Sequence, residues 1–236
     1  MLIDLHAHSS GISDCCKASG ADILSAAKAV GIDGLCLCNH YYIKYLERRG
    51  ESAAEFAKSY LAEYNAVKAL ADKAGMRLFF GIEVSPELYP RVHLLVYGTE
   101  QDFVLQHPEM YNYSQAKLYD LVHENGGCLV QAHPMRNGRN VLLDPKYLDG
   151  VEISSHLLYD GTHYNELADF AHQHGLFLTS GGDYHADTPR PRCGVYLPED
   201  LTSTHAVMKH LCDTDSIRLV CQESADEPSR EEVFIK

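Results

Sequence analysis

Short apolar runs alternate with longer amphipathic segments along this chain, and that alternation restricts its fold more than any other feature. Strand-like runs fall at 2–5, 34–38, 77–83, 92–97, 128–131, 150–153 and 177–180, with a weaker one at 194–197. Helical spacing of apolar positions occupies 21–30, 53–74, 114–125, 163–174 and 203–212. Gly31, Gly75, Gly126 and Gly175 stand where helices end, as expected of residues that must enter the left-handed region. Strands separated by helices pair in parallel, because the helix carries the chain back to the same edge. The expected class is therefore α/β, with a parallel sheet either open or closed into a barrel. No linker-like composition and no repeat divides the 236 residues. We expect one catalytic domain over 1–221 and an acidic C-terminal segment, 222–236, lying on the surface and pinned by Val233, Phe234 and Ile235.

Charge narrows the classes of partner. With 33 acidic and 20 basic side chains the formal net charge is -13. Such a field disfavours nucleic-acid polymers and anionic membranes, which attract clustered Lys and Arg. It suits a protein that binds several divalent cations. The N-terminus shows no basic and apolar leader, and no apolar run nears the roughly 20 residues of a membrane span. The eight cysteines include no CxxC pair, and several lie in strand-like runs, which suits free thiols in a reducing cytoplasm.

The chemistry-bearing residues gather at the ends of the strand-like runs. The first run carries Asp4, His6 and His8, with Asp14 following in the loop. Later runs lead into Asn39-His40, Gly81-Ile82-Glu83, Ala132-His133-Pro134, Val151-Glu152 and Gly182-Asp183-Tyr184-His185, while His93 opens the run at 92–97. In parallel α/β folds the loops at the C-terminal strand ends build the active site. Alternate residues of a strand share a face, so His6 and His8 point the same way. Imidazoles with carboxylates beside them suit zinc, manganese or iron. A lone histidine is more often a satisfied polar residue. His107, His123, His172, His174, His205 and His210 receive no role, and His156 and His163 stay undecided.

Taken in order, His6-Ala7-His8-Ser9, Asp14, His40, Gly81-Ile82-Glu83, His93, Ala132-His133-Pro134 and Gly182-Asp183-Tyr184-His185 resemble the successive motifs of the PHP (polymerase and histidinol phosphatase) family. The resemblance implies a distorted (β/α)7 TIM-like barrel with a trinuclear metal site. It implies a first metal on His6, His8 and Asp183, bridged by Glu83 to a second on His93 and His133, and a third on Asp14, His40 and His185. Glu83, Asp183 and His185 are then the catalytic set, and a metal-activated hydroxide hydrolyses a small phosphate monoester such as histidinol phosphate, a sugar phosphate or a nucleotide.

Around that set, Glu152 matches a position that could orient a ligand imidazole. Arg136 lies three residues past His133, where its fork suits a phosphate, and Arg139 and Arg91 are further candidates, with Arg190 and Arg192 behind them. The segment 41–51 carries Tyr41, Tyr42, Tyr45, Arg48 and Arg49, suited to capping a phosphorylated ligand. Two departures stand out: Cys38-Asn39-His40 replaces the usual Thr-Asp-His, and Gly182 stands where Ser is common. The rival readings are an amidohydrolase or deaminase, which also begins with HxH, and a non-catalytic metal-binding PHP module. Oligomeric state has no signature in the sequence.

Overall fold

The computed structural model describes residues 1–89, 91–138, 141–158 and 161–236. The chain opens with β1 (Leu2–Ala7), α1 (Gly20–Ala29), β2 (Gly34–Leu37), a short β3 (His40–Tyr41) and α2 (Ile43–Arg49). There follow α3 (Ala53–Ala74), β4 (Arg77–Val84), β5 (His93–Tyr97), α4 (Phe103–Gln106), α5 (Gln115–Glu124), β6 (Cys128–Ala132) and β7 (Gly150–Ser154). The last elements are α6 (Tyr164–His174), β8 (Phe177–Gly181), β9 (Gly194–Tyr196), α7 (Thr204–Asp213), β10 (Ser216–Cys221) and β11 (Arg230–Ile235).

One sheet runs in the order β11-β10-β9-β1-β2-β4-β5-β6-β7-β8, with β3 beside the end of β4. Its two halves, β1-β2-β4 and β6-β7-β8, are parallel. The end of β8 returns to β1, where Ala7 and Tyr184 form a parallel bridge and Asp183 N donates to His6 O at 2.9 Å. The sheet thus nearly closes into a barrel, as the α/β reading expected. Every residue of β1 and of β6 is buried, as in strands covered on both faces.

The all-parallel expectation needs correction. β5 pairs antiparallel with both β4 and β6. The link from β4 to β5 is too short to hold the crossover that a parallel partner requires. β9, β10 and β11 are antiparallel too. Nor is 222–236 only a surface segment, because β11 extends the sheet as its edge strand. Phe234 turns inward at 4% exposure, while Val233 and Ile235 face out at 58% and 60%, as strand alternation requires. Arg230, Glu231 and Glu232 place charge on that edge, which discourages pairing with another chain.

The helices follow their signals closely. Ser19 with Asp22, and Ser52 with Glu55, form capping boxes at the starts of α1 and α3. Gly75 closes α3 in the left-handed conformation. The segment 41–51 holds α2, which buries Tyr45 and Leu46. Among the described residues no helix is long and apolar enough to cross a membrane.

Candidate metal centre

Six histidines converge on two buried carboxylates where the sheet comes nearest to closing. Alternation along β1 sends His6 and His8 to one face, and their Nε2 atoms lie 3.0 Å apart. Because β5 runs backwards, its first residue, His93, sits beside the last turns of β4, and its Nδ1 is 2.7 Å from Glu83 Oε1. His133 Nε2 reaches the same oxygen at 3.1 Å. The other oxygen, Oε2, lies 2.6 Å from His40 Nδ1, 3.3 Å from His8 Nε2 and 3.4 Å from His6 Nε2. Asp183 Oδ1 stands 2.8 Å from His8 Nε2 and 3.5 Å from His6 Nε2. Both His133 and Asp183 hold left-handed backbones, at φ 32° and 44°. Such strain costs on the order of 1–3 kcal/mol per residue and persists where surrounding structure enforces it.

Hydrogen bonds behind the cluster fix which imidazole nitrogens face inward. Glu152, wholly buried, accepts from His6 Nδ1 at 2.8 Å and from His133 N at 3.0 Å. His6 therefore presents Nε2 to the site. Ser13 Oγ donates to Asn39 Oδ1 at 2.9 Å, so it must accept from His40 N at 3.0 Å and from His8 Nδ1 at 3.1 Å. His8 also presents Nε2. Asn39 accepts from Ser9 N at 2.8 Å as well, so the neutral residue in place of the usual aspartate joins the loop after β1 to the end of β2. His185 Nδ1 donates to Asp183 O at 2.7 Å, so its Nε2 is the nitrogen turned away from that carbonyl.

Glu83 Oε2 is the clearest sign of what the cluster is built to hold. It is buried and accepts no hydrogen bond, although three imidazole nitrogens crowd it. Nitrogen lone pairs facing carboxylate oxygens repel unless a proton or a cation lies between them. The donor set can supply metal ligands in four overlapping groups: His6, His8, Glu83 and Asp183; His8, His40 and His185; His40, Glu83 and His93; and His156, Asp183 and His185. Within each group the ligand atoms lie within 4.8 Å of one another. Buried imidazole and carboxylate in this proportion suit borderline divalent cations.

Charge is heavily redistributed among these groups. Burial opposes the charged form of His6, but Glu152, Glu83 and Asp183 outweigh it and raise its pKa well above the usual value. Burial opposes charge on His40 too, yet Glu83 and the Cys15 thiol hold it up at about 10. Burial raises the carboxyl of Glu83, but His40, His93 and His6 outweigh it and bring it well below the ordinary range. Asp183 is likewise depressed, chiefly by Arg136 against the cost of burial. Burial and Arg136 push His133 down to about 3. His6 and His40 thus carry protons at neutral pH that a cation must displace. Metal uptake should release them, and affinity should climb with pH from neutrality toward the His40 value of about 10, because protons compete for the raised-pKa imidazoles until the solution passes it. Calorimetry in buffers of different ionisation enthalpy reads the protons released; a pH-independent affinity would contradict this.

Gly181 keeps β8 close to β1. A Cβ there would come within 2.4 Å of both Glu152 Oε1 and His6 Cβ. Gly181→Ala should therefore cost about 1–3 kcal/mol by overpacking and lower the urea midpoint, and an unchanged midpoint would refute the close approach.

The structure brings eight of the nine expected metal residues together: His6, His8, His40, Glu83, His93, His133, Asp183 and His185. Asp14 stands apart, with a side chain 33% exposed and 3.7 Å from Arg48 Nη1. Beside it Cys15 is exposed, and its Sγ accepts from Tyr45 Oη at 3.1 Å. His156, left undecided on sequence, joins Asp183 and His185 in one of the donor groups. Arg136 pairs with Asp183, and it lines a small cleft with Arg91, His93 and His133. Arg91 also borders a cleft of about 490 Å³ with Tyr42, Lys44 and His93. Arg139 lies outside the described residues. Arg190 is buried against Asp4, and Arg192 donates to Tyr196 Oη at 3.1 Å, so both serve the scaffold. In the 41–51 segment Tyr41 is buried, its hydroxyl donating to Pro108 O at 3.0 Å, and Arg49 pairs with Glu51 at 3.3 Å.

No protein-family model and no curated protein matches the chain. Solved structures do. A two-domain protein from Bacteroides vulgatus, containing a predicted PHP-like metal-dependent phosphoesterase, superposes with a TM-score of 0.69 at 15% identity, over 94% of this chain. The chain spans only 65% of that protein's length. A candidate metal-dependent phosphoesterase from Bifidobacterium adolescentis gives a TM-score of 0.56 at 17% identity, covering 89% of this chain and 95% of its own. An amidohydrolase from Chromobacterium violaceum, with bound sulfate and no metal, gives 0.57 at 18% identity, covering 89% and 96%. At such identities the likeness establishes the shared fold.

Proposed function

We propose that this chain, which has the fold of the PHP-like metal-dependent phosphoesterases, hydrolyses a small phosphate monoester with divalent cations held at the cluster around Glu83 and Asp183. The observation that carries this reading is the buried Oε2 of Glu83, which accepts no hydrogen bond although nitrogens of His6, His8 and His40 crowd it. His6, His8, Glu83 and Asp183 would hold one cation, Glu83 with His93 and His133 would serve a second, and His40 and His185 would contribute to a third. Cations there would lower the pKa of water they share and offset charge developing on a phosphoryl group.

The chain's own residues then position and shield. Glu152 holds the His6 ring and the His133 backbone at once, so two ligands from distant strands keep a fixed relation. Ser13 and Asn39 do the same for His8 and His40. Arg136 stands where its fork can turn from Asp183 to phosphoryl oxygens, and Arg91 adds a second cation at the cleft mouth. Tyr42 and Lys44 line the larger cleft, where the rest of the substrate would lie.

The neighbour described as an amidohydrolase keeps a second reaction class in play, although its bound sulfate is tetrahedral like a phosphoryl group. A panel of phosphate monoesters, phosphodiesters and amides, offered to protein loaded with manganese, zinc or iron, separates the two. Phosphate release from monoesters, fastest among the three classes, is the expected result. Turnover confined to amides would overturn the phosphoesterase reading.

A further inference from the structure

Cys128 opens β6 and Cys212 stands one residue before the end of α7, yet the fold brings their sulfurs to 3.6 Å across 84 positions of sequence. Two further ties hold the helix there. His205 Nδ1 donates to Gly126 O at 3.0 Å, in the turn that leads into β6, and Lys236 Nζ donates to Cys212 O at 2.7 Å and to Leu211 O. The two thiols differ in access, since Cys128 is buried and Cys212 is exposed. They differ in acidity as well. The hydrogen bond with Cys128 is the main cause that holds the Cys212 thiol below its usual value, helped by Lys236 and opposed by burial, Asp149 and Asp213. The same hydrogen bond and burial push Cys128 up. Both sulfurs lie at the start of β6, the opposite end of that strand from His133, so the pair is separate from the metal centre. Cys36 and Cys38 also place their sulfurs 3.6 Å apart, but both are buried and neither is open to an oxidant in solution.

We propose that Cys212 and Cys128 form a reversible, peroxide-responsive disulfide that staples α7 to β6, with Cys212 meeting the oxidant and Cys128 resolving it. An accessible thiol of lowered pKa beside a second thiol is the arrangement this chemistry needs. The Cys212 thiolate attacks one oxygen of hydrogen peroxide; the S–O bond forms, the O–O bond breaks, and the departing hydroxide takes up the thiol proton and leaves as water. The Cys128 sulfur then attacks the sulfenic sulfur; the S–S bond forms, the S–O bond breaks, and the hydroxyl leaves with the Cys128 proton as a second water. The two thiols give up two electrons and the peroxide accepts them. A dithiol reductant reverses the step by thiol–disulfide exchange.

Peptide mapping of the full chain after treatment with hydrogen peroxide and alkylation of the remaining thiols tests this. The expected product is one intramolecular Cys128–Cys212 cross-link, removed by dithiothreitol, and mapping separates it from any change at Cys15, the other exposed thiol. In C128A the sulfenic acid has no resolving thiol, so dimedone should label Cys212 at least 10-fold more than in wild-type protein. Closing a loop of this length should raise the thermal midpoint of the oxidised protein by about 5–15 °C over the reduced form. Cys128 and Cys212 that both stay alkylatable after peroxide, or a Cys212 that links only between two copies of the chain, would overturn the proposal without any variant having to fold. A cross-linked protein whose midpoint is unchanged or lower would overturn the staple.

Discussion

Glu83→Gln is expected to cost more than about 100-fold in metal affinity and about 10²–10³-fold or more in kcat/KM toward a phosphate monoester. Glutamine keeps the size of the side chain and removes its charge. Five imidazoles, of His6, His8, His40, His93 and His133, lie within 3.4 Å of one or other Glu83 oxygen. An amide offers them one acceptor and one donor where two anionic oxygens stood, so cations sharing that residue lose their common counter-charge. The same change acts on protons in the metal-free protein. Glu83 is the leading cause that raises His40, against the pull of burial. In the variant His40 should titrate well below its value of about 10, in the direction of burial alone. Metal titration, steady-state kinetics and the NMR titration of His40 check the three effects. Retained metal affinity would remove Glu83 from the centre.

Glu152→Ala is expected to destabilise the protein by about 3–5 kcal/mol and to weaken metal binding about 10–100-fold, although Glu152 need not touch a cation. Its two oxygens serve two separate parts of the chain. Oε1 faces His6 Nδ1 at 2.8 Å, and Oε2 accepts from His133 N at 3.0 Å. Alanine leaves a buried imidazole and a buried backbone N–H without acceptors, and the His6 ring free to rotate away. Removing one partner of a buried charged pair costs far more than the pair's net worth, because the other charge stays desolvated. Urea denaturation with and without zinc reads both consequences. A variant of unchanged midpoint and unchanged affinity would show that Glu152 orients nothing.

Much of the centre was legible because its chemistry is local. His6 and His8 share a strand face by alternation alone, and the remaining ligand types stand next to strand-like runs whose ends a barrel brings together. Residues whose place depends on the path of the chain were harder to read. His93 looked misplaced at the start of its run, and only the reversal of β5 puts it beside Glu83. Arg190 sits near the expected substrate side in sequence, but its partner is Asp4, 186 residues away and buried. Asp14 stands apart because the turn anchored at Ser13 and Lys17 leaves it toward Arg48, and residue type alone had favoured it as a ligand.

The fold shows the same division. α1, α3 and α6 are fixed by caps and spacing, whereas α2 is short and hidden among tyrosines and arginines. β11 reads as a charged tail until Phe234 finds the core and β10 supplies its backbone partner.

The most direct test of the central claim is paired metal analysis and phosphate release on one preparation of the protein, before and after chelation and beside Glu83→Gln. The expected result is divalent metal bound to wild-type protein, and phosphate freed from a monoester at a rate that disappears on chelation, returns on reloading and is absent in the variant. Metal-loaded wild-type protein that frees no phosphate from any ester, or release that survives both chelation and Glu83→Gln, would contradict it.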